Sequence, residues 1–311
     1  MTTILITGVG GDIAQATAKI IREARPGYSL IGTDMHGQHC GALFVDRFHT
    51  LPAAADPAYI ASLDEIVFRN SVDIVIPMTE PELSVVCSST REWSRPVKWV
   101  SAGPRAVAVG VDKLATAMTL RGLGIDAPWT VPVKEGEPES IPCIVKQRFG
   151  SGSRSVFVLR QADDIPYFRR NMPEGIFQEL LEPANKEVTC AVFRSSTGET
   201  YTLQLLRTLT GGLTGWAEVM DDPRIAELCT TIANKLEVFG CINIQLRITA
   251  SGPRIFEINP RISSTALMRH MLGFQDVVWS IDEAEGKRPS IQAVVPRGKQ
   301  VGRLYSAAVL N

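Results

Sequence analysis

The sequence predicts an α/β domain on a parallel sheet, followed by an α+β body of closely spaced strands. Three observations carry this. Short apolar runs alternate with amphipathic helical segments up to roughly residue 105, the pattern of a doubly wound parallel sheet. A glycine turn, Thr7-Gly8-Val9-Gly10-Gly11, separates the first strand from the first helix. Beyond Pro104, strands follow one another at short spacing, divided by Gly/Ser and Pro turns, which suits an antiparallel sheet.

In order, residues 3–7 form a strand, and Ile13, Ala14, Thr17, Ile20 and Ile21 mark a helical face. A second strand spans 29–33 and ends at Asp34. A helix covers 57–70, a third strand 73–77, and a helix then opens with Thr79-Glu80-Pro81-Glu82, where Thr79 and Glu82 have capping-box spacing. The fourth strand is 98–100. A helix at 113–122 follows, then strands at 128–132, 142–147, 154–159, 175–180, 186–194 and 200–207, with a short helix near 161–170. Asp222-Pro223 starts an amphipathic helix, since proline suits the first helical position. Strands 241–248 and 254–258 come next, then helices near 264–272 and 276–285 and a last strand at 300–309.

Composition narrows the function. At 311 residues the chain has room for about two domains, and 45% hydrophobic with 21% charged residues excludes a disordered or collagenous protein. Lys plus Arg number 32 against 33 Asp plus Glu, a balance that argues against a nucleic-acid binder or a membrane-surface protein. No apolar run approaches the ~18 residues of a membrane span. The first residues lack the basic segment and long apolar run of a secretory signal. A cytoplasmic location is therefore expected, with six unpaired, buried thiols, because no cysteine pair has zinc or redox spacing. The four histidines show no convergent ligand set.

Four segments carry candidate chemistry. The glycine turn, with Asp34 ending the next strand, has the pattern of a dinucleotide site. It reads better as a tight strand-to-helix turn that needs small residues, and no Tyr-x-x-x-Lys pair supports a dehydrogenase. Lys146 ends a strand and precedes Arg148, Gly150, Ser151, Gly152, Ser153 and Arg154; backbone amides and fixed cations of this kind suit polyphosphate. In Phe256-Glu257-Ile258-Asn259-Pro260-Arg261, alternation places Glu257, Asn259 and Arg261 on one face and Phe256 with Ile258 on the other. Glu257 and Asn259, joined by Gln245, offer oxygens suited to Mg²⁺, and Arg261 a cation for a transferring phosphoryl group. Lastly, Gln178-Glu179-Leu180-Leu181 is a short strand able to read an adenine edge, with Glu187 placed for ribose hydroxyls.

Taken in order, these segments resemble the ATP-grasp superfamily, in its carbamoyl-phosphate-synthetase-like branch. The most specific string is Glu257-Ile258-Asn259-Pro260-Arg261-Ile262-Ser263-Ser264. The resemblance implies a Rossmann-like pre-ATP-grasp domain over 1–105, a small lid subdomain over 106–182 and a C-terminal subdomain over 183–311. It implies ATP with Mg²⁺ or Mn²⁺ as cofactors, Lys113 and Lys146 as nucleotide lysines, residues 149–154 as the lid loop and Gln178–Leu181 as the adenine hinge. Glu187 becomes the ribose acid, Gln245, Glu257 and Asn259 the metal ligands, and Arg261 the phosphoryl arginine. The implied activity is a stand-alone carboxylate–amine ligase acting through an acyl phosphate, with small-molecule substrates and a homodimer as the common assembly. Arg207, on a glycine-rich loop running to Glu218, is expected to pair with the substrate carboxylate, with Ser263, Ser264 and Arg269 nearby. Two alternatives remain: a nucleotide-binding regulator without turnover, for which Gln245 in place of an acid is the support, and an NAD(P)-dependent oxidoreductase using the front turn.

Overall fold

The computed structural model describes residues 1–150, 155–291 and 295–310. The front of the chain forms β1 (Thr3–Ile6), α1 (Asp12–Ala24), β2 (Ser29–Asp34), β3 (Arg47–Thr50), α2 (Tyr59–Arg69), β4 (Ile74–Ile76), α3 (Glu80–Ser88) and β5 (Lys98–Trp99). The strands lie in the order β3-β2-β1-β4-β5, all parallel. Strand alternation explains why both faces are buried. Ile4, Ile6, Leu30, Ile74 and Ile76 enter one core with α1, while Leu5, Ile31 and Val75 enter another with Tyr59, Leu63 and Val67 of α2. Fully burying each such side chain contributes about 1.5–3 kcal/mol. The capping box at α3 forms as expected: Thr79 Oγ1 accepts from Glu82 N, and Glu82 accepts from Thr79 N. The sequence pattern does not reveal β3, whose Arg47-Phe48-His49-Thr50 is a half-exposed edge strand.

Next come α4 (Pro104–Gly110) and α5 (Lys113–Gly122), then a small sheet of β6 (Thr130–Pro132), β7 (Cys143–Gln147), β8 (Val156–Leu159) and β9 (Gly175–Glu179), ordered β6-β9-β7-β8, with α6 (Ile165–Asn171) packed on it. The larger sheet holds β10 (Glu187–Arg194), β11 (Thr200–Thr210), β12 (Leu213–Met220), β13 (Gly240–Thr249), β14 (Gly252–Asn259) and β15 (Gln300–Gly302). Its order is β14-β13-β10-β11-β12-β15, antiparallel throughout. Helix α7 (Pro223–Lys235) covers one face through Ile225, Cys229 and Ile232, and Asp222 caps it by accepting from Arg224 N at 2.9 Å. Helices α8 (Ala266–Met271) and α9 (Asp276–Ala284) follow β14.

Several expectations change. Residues 208–218 are not a loop: β11 and β12 form a hairpin turning at Gly211 and Gly212, and the glycines hide a strand whose partner supplies the pairing. The last strand is three residues, not ten. Helix α5, expected in the lid subdomain, packs against the larger lobe, where Leu120 joins the core of β10, β13 and β14. The front sheet does not close its own core either. Ile262, Ala266, Val277 and Ile281, from beyond residue 260, share the cluster of Ile4 and Ile6, and Arg25 to Asp282 at 2.6 Å fastens the two regions. All six cysteines are free; four are buried, while Cys40 and Cys87 are partly exposed.

Candidate active site

One face of the larger sheet gathers the polar side chains in rows set by register. Glu187 pairs with Arg247, Thr189 with Gln245 and Gln245 with Glu257, Ala191 with Asn243 and Asn243 with Asn259. The alternate residues Val188, Cys190, Ile244, Leu246 and Ile258 face the α7 core. A period of two thus makes one face oil and the other chemistry.

The expected alternation breaks at one point. Gln245 pairs with Glu257 but Leu246 with Ile255, so Phe256 is the extra residue of a β-bulge. Ile255 and Ile258 are both in the core, and Phe256 turns with Glu257 toward the site. There its ring lies 5.5 Å from Lys146 Nζ and 5.9 Å from the Arg247 guanidinium, within cation–π reach.

Lys146 comes from β7, whose Cys143 and Val145 face the lid core. Its ammonium is buried between the sheets, and its pKa falls to about 8, chiefly through burial. Lys113 and Arg247 push it further down; Glu257 and Glu187 oppose them. A cation this poorly solvated is prepared to receive an anion. Lys113 donates from Nζ to the Gly150 carbonyl at 2.5 Å. Asp112 caps α5 and also accepts from Arg148 Nε at 2.8 Å and Nη2 at 2.6 Å. Arg148 is thereby committed to Asp112, which holds that carboxyl below its ordinary pKa against the burial that pushes it up. Ser151, Gly152, Ser153 and Arg154 lie outside the described residues.

At the hinge strand, Gln178 is buried and donates to Thr130 Oγ1 at 3.0 Å, a packing role. Glu179 accepts from Arg254 at 2.5 Å and from Trp129 N, so its carboxylate is engaged by protein. Leu180 is partly buried and Leu181 buried, and Arg247 donates to the Leu181 carbonyl at 2.7 Å. Glu187 receives Arg207 at 2.7 Å on one oxygen and Arg247 at 2.5 Å on the other. Arg207 also donates to Thr214 Oγ1 and Gln245 Oε1. Four of its five N–H groups' worth of bonding is internal, so the expected pairing with a substrate carboxylate gives way to a role in holding Glu187.

Arg261 follows the strand, with Gly110 of α4 packed so closely that a Cβ there would lie 2.7 Å from Pro260 Cδ. Its guanidinium is buried, donating to Glu80 Oε1 at 3.2 Å and to the Ile262 carbonyl, and its Nε has no partner among the described residues. Arg269 is not a pocket residue. It is wholly buried, paired with Asp276 at 2.7 Å and donating to Ser263 and Thr265. Ser263 in turn reaches Asn243, bracing the middle of the sheet.

The Glu257 carboxylate has no hydrogen-bond or ion-pair partner among the described residues, and the Asn259 Nδ2 is buried without one. An unpaired carboxylate beside an amide oxygen fits a hard divalent cation. No three His, Cys, Asp or Glu cluster among the described residues, so such a cation would depend on amide oxygens and external ligands.

The front glycine turn is different. Gly10 N donates to Asp34 Oδ2 at 2.9 Å, and a Cβ on Gly10 would meet the His39 ring at 2.6 Å. Asp34 and His39 thus take up the Gly10 N–H and crowd the space beside it. Sequence reasoning missed Arg247, Phe256 and Glu80 as members of the site. Arg247 was within reach, two residues after Gln245 on the same strand; Phe256 needed the bulge, and Glu80 a contact across 181 residues.

Comparison with known proteins bears on this arrangement. Residues 171–305 match the family model described as ATP-grasp in the biosynthetic pathway with Ter operon. Residues 4–97 match that of the PylC-like N-terminal domain. No curated protein matches the sequence. Among solved structures, the N5-carboxyaminoimidazole synthetase of Staphylococcus aureus with ADP superposes with a TM-score of 0.73 at 17% identity, over 91% of this chain and 77% of that one. The Campylobacter jejuni biotin carboxylase with β-γ-ATP gives 0.72 at 14%, over 96% and 74%. The biotin carboxylase domain of the Hydrogenobacter thermophilus 2-oxoglutarate carboxylase, with MgADP and bicarbonate, gives 0.72 at 12%, over 96% and 72%. At these identities the likeness is one of fold. No helix is long and apolar enough to cross a membrane among the described residues.

Proposed function

We propose that this chain, a member of the ATP-grasp superfamily, is an ATP-dependent carboxylate–amine ligase that forms a C–N bond through an acyl phosphate. The observation that carries the reading is the approach of Lys146, buried and poorly solvated, to Glu257 on the facing sheet, a carboxylate with no hydrogen-bond or ion-pair partner among the described residues. A site built this way offers positive charge to an anion and a carboxylate to a cation, which is what a metal-bound polyphosphate brings. The solved structures of like fold that carry ADP or an ATP analogue support the same ligand.

The chemistry asks mainly for positioning and charge. A substrate carboxylate attacks the γ-phosphorus of ATP; an O–P bond forms, the bond to the β-phosphate oxygen breaks, and ADP leaves. Two anions must approach, so Lys113, Lys146 and Arg261 offset their repulsion. The amine nitrogen then attacks the acyl carbon, inorganic phosphate leaves with its C–O electron pair, and the nitrogen loses a proton to solvent. Glu257 and Asn259 would hold Mg²⁺, which when bound supplies Lewis-acid charge to the phosphates. Glu187, fixed by Arg207 and Arg247, would accept from the ribose. The Phe256 ring, 5.5 Å from Lys146 Nζ, would keep that ammonium poorly solvated.

The test is coupled ADP release with ATP, Mg²⁺ and pooled carboxylic acids, with and without pooled amines. Acid-dependent ADP that rises with amine is expected. ADP binding without turnover from any pool would favour the regulator, and absence of nucleotide binding would end the reading.

A further inference from the structure

Gln245 and Glu257 face each other across β13 and β14, and two oxygen-bearing side chains so placed read as one metal site. The hydrogen bonds separate them. Arg207 Nη2 donates to Gln245 Oε1 at 2.9 Å and, from the same nitrogen, to Glu187 Oε1 at 2.7 Å. A guanidinium has donors only, so the amide must turn its oxygen and not its nitrogen to Arg207. The strand order settles the direction. Glu257 is on β14, to one side of β13, whereas Glu187 and Arg207 are on β10 and β11, to the other. The Gln245 oxygen therefore points away from Glu257. Arg207 cannot easily yield, because it is buried and also held by Glu187 through Nε at 3.0 Å and by Thr214 at 3.2 Å. An oxygen already bonded to one cation is a poor ligand for a second, since the cations repel. The Gln245 Nε2 group, in contrast, has no acceptor among the described residues.

We infer that Gln245 is a phosphate-facing donor and not a metal ligand: its NH₂ group, oriented by Arg207, donates to a nucleotide phosphate oxygen, and Glu257 with Asn259 holds a single divalent cation. This rests on the nucleotide reading above. It gives the neutral residue a purpose. A carboxylate at 245 would repel the phosphates, whereas an amide locked by its oxygen presents two N–H groups to them.

Mn²⁺ serves as the probe, counted by electron paramagnetic resonance on the full chain with saturating ADP, alongside ADP affinity measured calorimetrically in chelator. One Mn²⁺ per chain is expected. Gln245→Ala keeps that Mn²⁺ and weakens metal-free ADP binding by about tenfold, the scale of a hydrogen bond to a charged group. Gln245→Glu weakens ADP further and adds no second Mn²⁺. Glu257→Gln loses the Mn²⁺ and keeps metal-free ADP binding. A second Mn²⁺ in the unaltered chain or in Gln245→Glu would overturn the assignment, as would loss of Mn²⁺ in Gln245→Ala with ADP still bound. An unaltered chain that binds neither ADP nor Mn²⁺ with ADP would overturn the nucleotide reading itself, and this inference with it.

Discussion

The front glycine turn and the Phe256–Arg261 strand are the two segments whose residues advertise a ligand, and they differ in how their polar groups are spent. At the turn, Gly10 N is taken by Asp34 and the His39 ring occupies the adjoining space. At the strand, among the described residues, Glu257 is unpaired and Arg261 Nε lacks a partner, and Lys146 lies close by with a depressed pKa. Buried polar groups are normally satisfied. The turn's backbone donor is taken and its space is filled, although His39 Nε2 is buried without a partner among the described residues; at the strand the groups left over include a carboxylate and a guanidinium N–H, which suit a charged ligand. Unspent charge, more than motif, separates the two readings of this chain.

The largest expected effect comes from removing the unsatisfied groups. Lys146→Ala and Glu257→Ala should each lower acid-dependent ADP release by about a thousandfold or more, roughly 4 kcal/mol of transition-state stabilisation. Thermal melting of Lys146→Ala should be unchanged or raised, because the substitution removes a cation that burial disfavours. Retained turnover in either variant would erase the contrast between strand and turn. A buried cluster whose charges pair with each other should behave in the opposite way. Arg269→Ala leaves Asp276 charged and buried, and should cost about 3–4 kcal/mol of stability, read by urea denaturation. The folded fraction at low temperature should still bind ADP, because Arg269 reaches the site, among the described residues, through Ser263 and Asn243.

Next in size is the turn itself. Gly10→Ala places a methyl against His39 and Asp34, and overpacking of this kind costs about 1–3 kcal/mol. Melting temperature should fall while ADP affinity stays constant. An ADP or NADP affinity that drops with this substitution would make the turn a ligand site after all and bring back the oxidoreductase.

What was legible in the sequence follows the same division between local and distant causes. Alternating strands and helices, the α3 capping box and the Asp222 cap all depend on residues within a few positions, and each forms. The Glu257–Arg261 string was legible because one strand carries it. Four things were not. The hairpin at 208–218 looks like a loop because Gly211, Gly212 and Gly215 weaken its strand signal, and only the pairing of Arg207 with Ala217 and its neighbours makes it sheet. The bulge that turns Phe256 toward Lys146 is a matter of register between two strands, invisible in either one. Arg207 has an ordinary sequence context; that it holds Glu187 and Gln245, and so has little left for a substrate, is set by three strands meeting. The front domain's core could not be closed from residues 1–105 because Val277 and Ile281 complete it.

The smallest expected effect concerns pH, and it sets binding against stability at one residue. Burial lowers the Lys146 pKa from 10.5 to about 8. Below pH about 8 the ammonium is charged and meets the phosphates; above it the charge is lost. ADP affinity should therefore fall as pH rises through about 8, by at most about tenfold per unit for one proton. Stability moves the other way. Between about 8 and 10.5 the unfolded chain holds a proton on Lys146 that the folded chain has released, so this residue's contribution to stability rises with pH. Isothermal titration and urea denaturation across this range should show the two trends crossing. Lys146→Arg should flatten the binding profile, since a guanidinium stays charged throughout. A wild-type affinity constant from pH 7 to pH 9.5 would place the phosphates elsewhere and leave Lys146 without a part in binding them.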